Sequence, residues 1–304
     1  MEVGIVGLGR MGANMALRLV RHGHGVRATD LAAGAREEAE ENGVHTHPTL
    51  ASLVTALDTP RVLWLMLPAG EATEGVLVEA LPQLEPGDIV VDGANSPWQD
   101  SRRRAALARE RGVEFVDCGV SGGVWGLESG FNLMVGGTPA AFRALEPLLE
   151  SLAPAGGYLH VGTAGTGHFV KMVHNGIEYG LMQAYGEGFA ALESFPEEID
   201  LPAVARLWNE GSVIRSWLLE LTAQALHDDP RLEAVTGYVN DSGMGRWTVE
   251  YAVQNAVPMP AITQALFARF ASREEDPFSA RLAASLRNRF GGHALKERTA
   301  SEPE

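Results

Sequence analysis

The start of the chain constrains the fold most, because an apolar segment there runs directly into three closely spaced glycines. Residues 2–6 read Glu-Val-Gly-Ile-Val, and a G-x-G-x-x-G spacing follows. In a strand-turn-helix unit such glycines permit a tight turn, a close approach of backbone to pyrophosphate, and close packing of helix on strand. The N-terminus of the helix offers N–H groups to the phosphates. We therefore predict a dinucleotide site at this turn, formed by Gly7, Leu8, Gly9, Arg10, Met11 and Gly12.

Apolar segments alternate with helical stretches through the first half of the chain. Strands are predicted at 2–6, 25–29, 61–67, 88–92, 114–118 and 131–135, with helices such as 11–22, 71–81, 98–111 and 139–152. This alternation predicts an α/β Rossmann domain, a doubly wound and mainly parallel sheet with helices on both faces. After His160 a small-residue linker follows, and the rest predicts only helices. We therefore predict a Rossmann domain over 1–162 and an all-α domain over 163–304, with a frayed end from about Thr299.

Composition narrows the class of protein. The 304 residues, 45% hydrophobic and 21% charged, are typical of a globular chain with two domains. The net charge of −15 argues against binding to nucleic acid or to an anionic membrane. A lone Cys118, no leader before the first strand and no long apolar run lead us to expect a cytoplasmic protein. His45 and His47 lack accompanying ligands, so we expect no metal.

Asp30 ends the second predicted strand, about 20 residues beyond the glycines. An acidic residue there accepts the ribose hydroxyls and repels a 2′-phosphate, which predicts NAD over NADP. Arg27 and Arg36 stand close enough in sequence to leave NADP open as the alternative. The segment Leu67, Pro68 and Ala69 follows a strand and is expected to cross over the cofactor, although an ordinary Pro-Gly turn explains it equally well.

Lys171, His174, Asn175 and Glu178 are spaced three, four and seven residues apart, which places them on one face of a helix. Their neighbours are apolar and no proline interrupts the segment 167–195, so we expect a helix about 40 Å long, buried at the centre of the molecule. A buried lysine acts as a base near neutral pH. The alternative is a Lys–Glu pair on a surface helix, which contributes little to stability.

Two further patterns lie on predicted helices. Gly176, Gly180, Ala184 and Gly188 recur every four residues, which indicates close approach by another helix, either within the chain or across a dimer. The run Arg102-Arg103-Arg104 begins a charged helix and is interpreted as a solvated face.

Beyond the glycine turn, several sequence blocks resemble the decarboxylating 6-phosphogluconate dehydrogenases, in particular their short branch within the β-hydroxyacid dehydrogenase superfamily. These blocks are Asp92-Gly-Ala-Asn95-Ser, Asp117-Cys-Gly-Val-Ser121-Gly122-Gly123-Val-Trp-Gly, Lys171-Met-Val-His174-Asn175-Gly-Ile-Glu178-Tyr179, Gly245-Arg246-Trp247-Thr248 and Arg287-Asn-Arg-Phe290-Gly-Gly-His293.

The resemblance implies oxidation of 6-phosphogluconate, or a similar sugar-acid phosphate, to ribulose 5-phosphate and carbon dioxide with reduction of NAD. Lys171 would take the proton of the C3 hydroxyl and later return it, and Glu178 would protonate the enediol at C1. The resemblance implies a homodimer or homotetramer in which a neighbouring subunit supplies Arg287 and His293. Its other substrate positions fall on Asn95 (also placed at the cofactor), Ser121, Gly122, Gly123, His174, Asn175, Tyr179 and Arg246.

Two alternatives stay open at this point. A different β-hydroxyacid dehydrogenase, such as one for 3-hydroxyisobutyrate, would share the glycine turn and a lysine helix without decarboxylating its product. A non-catalytic dinucleotide-binding sensor would keep the glycine turn but would not need Lys171 and Glu178 together.

Overall fold

The computed structural model describes residues 1–296. Residues Met1–Gly176 form one compact unit and those from Ile177 onward form a second, so that the division falls inside one long helix. The domain boundary expected after residue 162 stays a prediction, and the frayed end expected from Thr299 lies outside the described residues.

The first unit contains an eight-stranded sheet in the order β3-β2-β1-β4-β5-β6-β7-β8, with only the β6–β7 pair antiparallel. All six predicted strands are present, and the Rossmann prediction is confirmed. The two additional strands, β3 and β8, lie at the sheet edges, and neither contains a buried residue. The strands are β1 (Glu2–Val6), β2 (Gly25–Thr29), β3 (His45–Thr46), β4 (Val62–Leu65), β5 (Ile89–Asp92), β6 (Glu114–Ser121), β7 (Asn132–Gly136) and β8 (Tyr158–Gly162).

Alternate residues of each central strand enter two separate hydrophobic clusters. In β4, for example, Val62 and Trp64 join one cluster, whereas Leu63 and Leu65 join the other. Because successive side chains of a strand point to opposite faces, both faces of the sheet are covered. The helices that follow these strands are α1 (Arg10–Arg21), α2 (Ala33–Glu41), α3 (Leu50–Ala56), α4 (Glu71–Ala80), α5 (Trp98–Arg109), α6 (Gly126–Ser129) and α7 (Pro139–Leu152).

Helix α8 (Thr166–Glu193) runs from the first unit into the second, which is helical as predicted. Two of its helices have a proline in the first turn, Pro202 and Pro260. A missing N–H costs nothing there, because the first N–H groups of a helix have no partner within the helix. No helix within residues 1–296 combines the length and apolarity needed to cross a membrane. The remaining helices are α9 (Leu201–Asn209), α10 (Trp217–Asp228), α11 (Met244–Gln254), α12 (Pro260–Ala271) and α13 (Phe278–Gly291).

The apolar sequence of α8 predicts that this helix is buried at the centre of the molecule, and for its second half this prediction is wrong. Most residues of its first turns are buried or half-buried, but Ile177, Leu181 and Met182 are 52%, 43% and 44% exposed. At Gly180 and Gly188 an added Cβ would meet no atom within 4 Å, so no described residue of this chain packs against these two glycines. Of the two explanations for the glycine pattern, contact with another helix among residues 1–296 is therefore not found at these two positions.

Candidate active site

The glycine turn joins β1 to α1. The fold alone requires glycine at two of its three glycine positions. Gly7 adopts a φ of +98°, which favours glycine. A Cβ at Gly12 would overlap the carbonyl oxygen of Gly7, so any side chain there would push α1 away from β1. Gly9, by contrast, would accept a Cβ without meeting any atom within 4 Å. The open backbone at Gly9, the N-cap of α1, therefore fits the approach of a pyrophosphate rather than a need of the fold.

Asp30 follows β2 and lies directly against this turn. Its Oδ2 accepts a hydrogen bond of 2.7 Å from the backbone N–H of Leu8, and its Oδ1 accepts one of 2.8 Å from Ala32. Of the two nearby arginines, one contacts the backbone of Asp30 and the other forms an ion pair away from it. Arg36 donates to the backbone carbonyl of Asp30, and Arg27 pairs with Glu2 at 2.7 Å. This arrangement favours ribose hydroxyls over a 2′-phosphate at Asp30.

Arg104 is fully buried, so its interpretation as part of a solvated face is wrong. The guanidinium pairs with the buried carboxylate of Asp92 at 2.7 Å and donates to the hydroxyl of Ser96 at 2.8 Å. It also pairs with Glu74, whose pKa the hydrogen bond from Arg103 and the pairing with Arg104 hold at about 2. Because a buried charge must be paired, this network fixes the segment that leads into Asn95.

The same guanidinium reaches the predicted cofactor loop, with a hydrogen bond of 3.3 Å to the carbonyl of Gly70. From α4, the hydroxyl of Thr73 donates a hydrogen bond of 2.8 Å to the carbonyl of Pro68 in that loop. Leu67, Pro68 and Ala69 are thus tied to α4 and α5, and their contact with the cofactor stays a prediction beside the ordinary Pro-Gly turn.

Asn95 and the loop after β6 lie together at the carboxyl end of the sheet. The amide of Asn95 both accepts a hydrogen bond of 3.0 Å from the N–H of Val120 and donates to its carbonyl at 3.3 Å. Ser121 ends β6, and Gly122 and Gly123 follow with φ of 140° and 53°. These conformations favour glycine and leave bare backbone at the site where the resemblance places the sugar acid.

Lys171 is 4% exposed and lies on the buried first part of α8. Its Nζ lies 3.5 Å from Nδ1 of His174, which in turn lies 2.9 Å from the amide oxygen of Asn175. Three of the four polar side chains predicted on this helix face are therefore in contact. Glu178 lies on the same helix about two turns beyond Lys171 and is half-buried.

The second unit places a group of cations around Tyr179. The ring of Tyr179 packs against Gly245, and the guanidinium of Arg269 lies 3.4 Å from the ring centroid. Arg246 forms a two-pronged pair with Asp241 at 2.9 and 3.0 Å, and this bonding holds the pKa of Asp241 well below its usual range. Arg273 pairs with the same carboxylate at 2.7 Å.

Sequence reasoning missed Arg269 and Arg273. The only local signal was the placement of cations beside aromatic residues in Phe267-Ala-Arg269-Phe270, at the end of an apolar helix. Arg287 lies on α13 and His293 follows that helix, and both are exposed.

The sheet order, the glycine turn and Asp30 are typical of dehydrogenases that bind a nicotinamide dinucleotide. Residues 2–163 match the NAD binding domain of 6-phosphogluconate dehydrogenase, and residues 167–301 match the C-terminal domain of that enzyme. The chain belongs to the 6-phosphogluconate dehydrogenase family.

Relatives of two lengths are found. An NAD(+)-dependent, decarboxylating 6-phosphogluconate dehydrogenase of Haloferax volcanii is 45% identical over 297 residues, which cover 97% of this chain and 98% of the relative. A Bacillus subtilis enzyme of the same name is 33% identical, and the match covers 89% of this chain but only 61% of that longer protein.

Among solved structures, the 6-phosphogluconate dehydrogenase of Plasmodium falciparum superimposes with a TM-score of 0.84 at 30% identity, covering 100% of this chain and 67% of that one. A 3-hydroxyisobutyrate dehydrogenase of Mycobacterium tuberculosis gives a TM-score of 0.73 at 25% identity, over 94% and 99% of the two chains.

Two alanine substitutions separate the needs of the fold from those of the ligand. We expect Gly12→Ala to lower the melting temperature markedly, because its Cβ overlaps backbone. We expect Gly9→Ala to keep the parent melting temperature but to weaken NAD binding at least about tenfold, a loss comparable to one charge-assisted hydrogen bond. Calorimetry and fluorescence titration with NAD measure both quantities. Equal loss of stability in the two variants would contradict this assignment.

Proposed function

We propose that this chain oxidatively decarboxylates 6-phosphogluconate to ribulose 5-phosphate and carbon dioxide, with NAD as the preferred oxidant. The observation that carries the proposal is the buried Lys171 beside His174 and Asn175, on the helix where the family places its base. The nearly complete match in length to the Haloferax volcanii enzyme supports the same activity for the short chain.

The residues at the edge of the sheet suit the cofactor. The open backbone at Gly9 and the N-terminus of α1 would hold the pyrophosphate, and Asp30 would accept the hydroxyls of the adenosine ribose. The loop 67–69 and Asn95 would line the remainder, because Arg104 fixes both segments. When bound, the nicotinamide ring accepts a hydride from the substrate carbon that is oxidised.

Lys171 would act first as a base and then as an acid. Its amine takes the proton of the C3 hydroxyl as that carbon is oxidised to a ketone. The bond from C2 to the carboxylate then breaks and carbon dioxide leaves, because the new carbonyl accepts the electron pair as an enediol. Lys171 returns its proton to the carbonyl oxygen to give the enediol. Glu178 then protonates the former C2, which becomes C1 of ribulose 5-phosphate, while Lys171 takes the proton of the neighbouring enediol hydroxyl so that the ketone forms. Burial of Lys171 keeps water from competing for these protons.

The remaining side chains would orient the sugar acid. Asn95, Ser121, the bare backbone of Gly122 and Gly123, and the pair His174 and Asn175 would bind the carboxylate and hydroxyls. At the other end, Tyr179 would meet the phosphate together with Arg246 and Arg269. We add Arg269 to the set implied by the resemblance because its guanidinium stacks on Tyr179 itself.

The cations around Tyr179 also favour this substrate over 3-hydroxyisobutyrate. A small unphosphorylated acid would not need Arg246, Arg269 and Arg273 within one group of contacts. A non-catalytic sensor is disfavoured for a separate reason, because it has no use for an amine buried among apolar residues.

We further propose a homo-oligomer built from dimers. Helix α13 contains no buried residue, although Phe278, Leu282 and Leu286 recur every four residues and are 69%, 47% and 51% exposed. Such an apolar helix face is stable in water only when another surface covers it. The exposed second half of α8 has the same need, and a second copy would satisfy both while bringing Arg287 and His293 of the partner subunit to the phosphate.

The activity itself gives the first test. With NAD and 6-phosphogluconate, we expect reduced cofactor and carbon dioxide to form in equal amounts. Lys171→Met should lower the rate by about 100-fold or more, the usual contribution of a positioned base, while NAD still binds. Lys296→Met is the matched control, because Lys296 is the only other lysine in the chain. Glu178→Gln should slow formation of ribulose 5-phosphate more than reduction of NAD. A Lys171→Met enzyme of parent activity would refute the mechanism.

Cofactor choice tests Asp30. Asp30→Ala should reduce kcat/KM for NAD and raise it for NADP, because the 2′-phosphate no longer meets a carboxylate. Steady-state kinetics with both cofactors measures the change, and Asp58→Ala, an exposed carboxylate in the same unit, is the control. An unchanged preference for NAD would show that another residue selects the cofactor.

Subunit mixing tests the shared site. Lys171→Met and Arg287→Ala should each be nearly inactive, but after subunit exchange each hybrid dimer contains one whole site, and about a quarter of all sites should recover. Mixing Lys171→Met with Glu178→Gln should recover nothing, because both residues come from one chain. If the first mixture stays inactive after confirmed exchange, Arg287 does not serve a neighbour.

A further inference from the structure

The first turns of α8 lie directly on the β6–β7 pair, backbone against backbone. A Cβ at Gly167 would overlap the carbonyl oxygens of Asp117 and Met134. Gly136 pairs with Asp117 across the two strands, and a Cβ there would lie 2.6 Å from Oδ1 of Asp117 and 2.7 Å from the N–H of Gly167. No side chain fits between the helix and the sheet at this point.

The side chain of Asp117 stabilises that contact through hydrogen bonds. The fully buried carboxylate accepts hydrogen bonds of 2.6 Å from the N–H of Gly165 and 2.8 Å from the N–H of His168. Burial raises the pKa of Asp117, whereas His168 and these two bonds oppose that rise. A carboxylate at the N-terminus of a helix also interacts favourably with the helix dipole.

One strand position further on the same face, β6 contacts Lys171 itself. A Cβ at Gly119 would lie 2.5 Å from Cβ of Lys171. Asp117 and Gly119 are two residues apart and thus point to the same face of the strand. They contact α8 on successive turns, so together they set how deeply Lys171 lies against the sheet.

A second tie joins the same turn of α8 to the loop that carries Asn95. The hydroxyl of Ser101 lies 2.7 Å from Nδ1 of His168, and both residues are fully buried. Ser101 belongs to α5, which begins three residues after Asn95. The first turn of α8 is therefore held in position both by β6 and by the loop that carries Asn95.

We propose that Asp117 is a positioning residue for Lys171: it holds the first turn of α8 against β6 so that the amine reaches the substrate hydroxyl. Asp117 itself touches only backbone N–H groups of that turn among the contacts described. This inference rests on the proposed function, which supplies the role of Lys171.

Asp117→Asn tests the proposal with little change of shape, because one of the two N–H donors then faces an NH₂ group. Gly119→Ala tests it from the other side, because its methyl displaces Lys171. We expect both to lower kcat by about 100-fold, as for a reacting group misplaced by about 1 Å, while Kd for NAD stays within about twofold. Gly119→Ala decides the matter if Asp117→Asn fails to fold.

Two controls separate positioning from general loss of structure. Asp88 is another buried carboxylate, which accepts from the N–H groups of Arg61 and Glu85, so Asp88→Asn should lower the melting temperature without a comparable loss of kcat. Gly137→Ala places a methyl 3.0 Å from Val116 in the same sheet, away from Lys171, and should leave kcat near the parent value.

A readout independent of activity is the rate at which trinitrobenzenesulfonate labels Lys171, measured by peptide mass spectrometry relative to exposed Lys296 in the same chain. We expect several-fold faster labelling of Lys171 in Asp117→Asn and Gly119→Ala, and the parent ratio in both controls. Parent kcat and labelling ratio in the two test variants would overturn the proposal, as would an equal loss of kcat in Asp88→Asn. If the parent protein did not oxidise 6-phosphogluconate, the proposed function would fail, yet the labelling ratio would still report whether Asp117 positions Lys171.

Discussion

The contact between α8 and the β6–β7 pair is the constraint on which the proposed catalytic site depends. A helix normally packs on a sheet through its side chains, about 10 Å away. Here Gly119, Gly136 and Gly167 remove those side chains, so the backbones touch. The helix then carries Lys171 at a depth set by hard contacts rather than by flexible packing, which suits a proton transfer that tolerates little displacement.

The buried pair of Arg104 and Asp92 organises the cofactor edge in a comparable way. Desolvating two charges costs several kcal/mol per ion, roughly what their attraction returns, so such a pair is weak evidence for added stability. The pair instead fixes the geometry of its surroundings, because one rigid guanidinium forms hydrogen bonds with Asp92, Ser96, Glu74 and Gly70 at once. The loop after β4 and the segment that contains Asn95 are thereby held in fixed positions relative to each other.

These two contacts mark what sequence alone could and could not predict. The glycine turn, six strands and the lysine face of α8 depend on local spacing, which is legible in one sequence. Arg104 was misjudged because two exposed arginines precede it, and nothing local reveals that only the third turns inward. Arg269 escaped notice because its partner, Tyr179, lies 90 residues earlier. The expected burial of α8 failed because an apolar sequence predicts that a helix is covered without showing which part of it the described residues cover.

Charge explains why the proposed phosphate site would need such a group of cations. A chain with a net charge of −15 repels a phosphorylated acid at long range, so binding depends on positive charge concentrated locally. Asp241 brings a negative charge into this group, yet it holds Arg246 and Arg273 in fixed directions, and the aromatic ring of Phe270 lies beside both. One carboxylate that orients two guanidinium groups still leaves a net positive charge, and Arg269 on Tyr179 adds to it. Fixed cations lose less entropy on binding than mobile ones, so the acid in the middle of the group strengthens the site by ordering it.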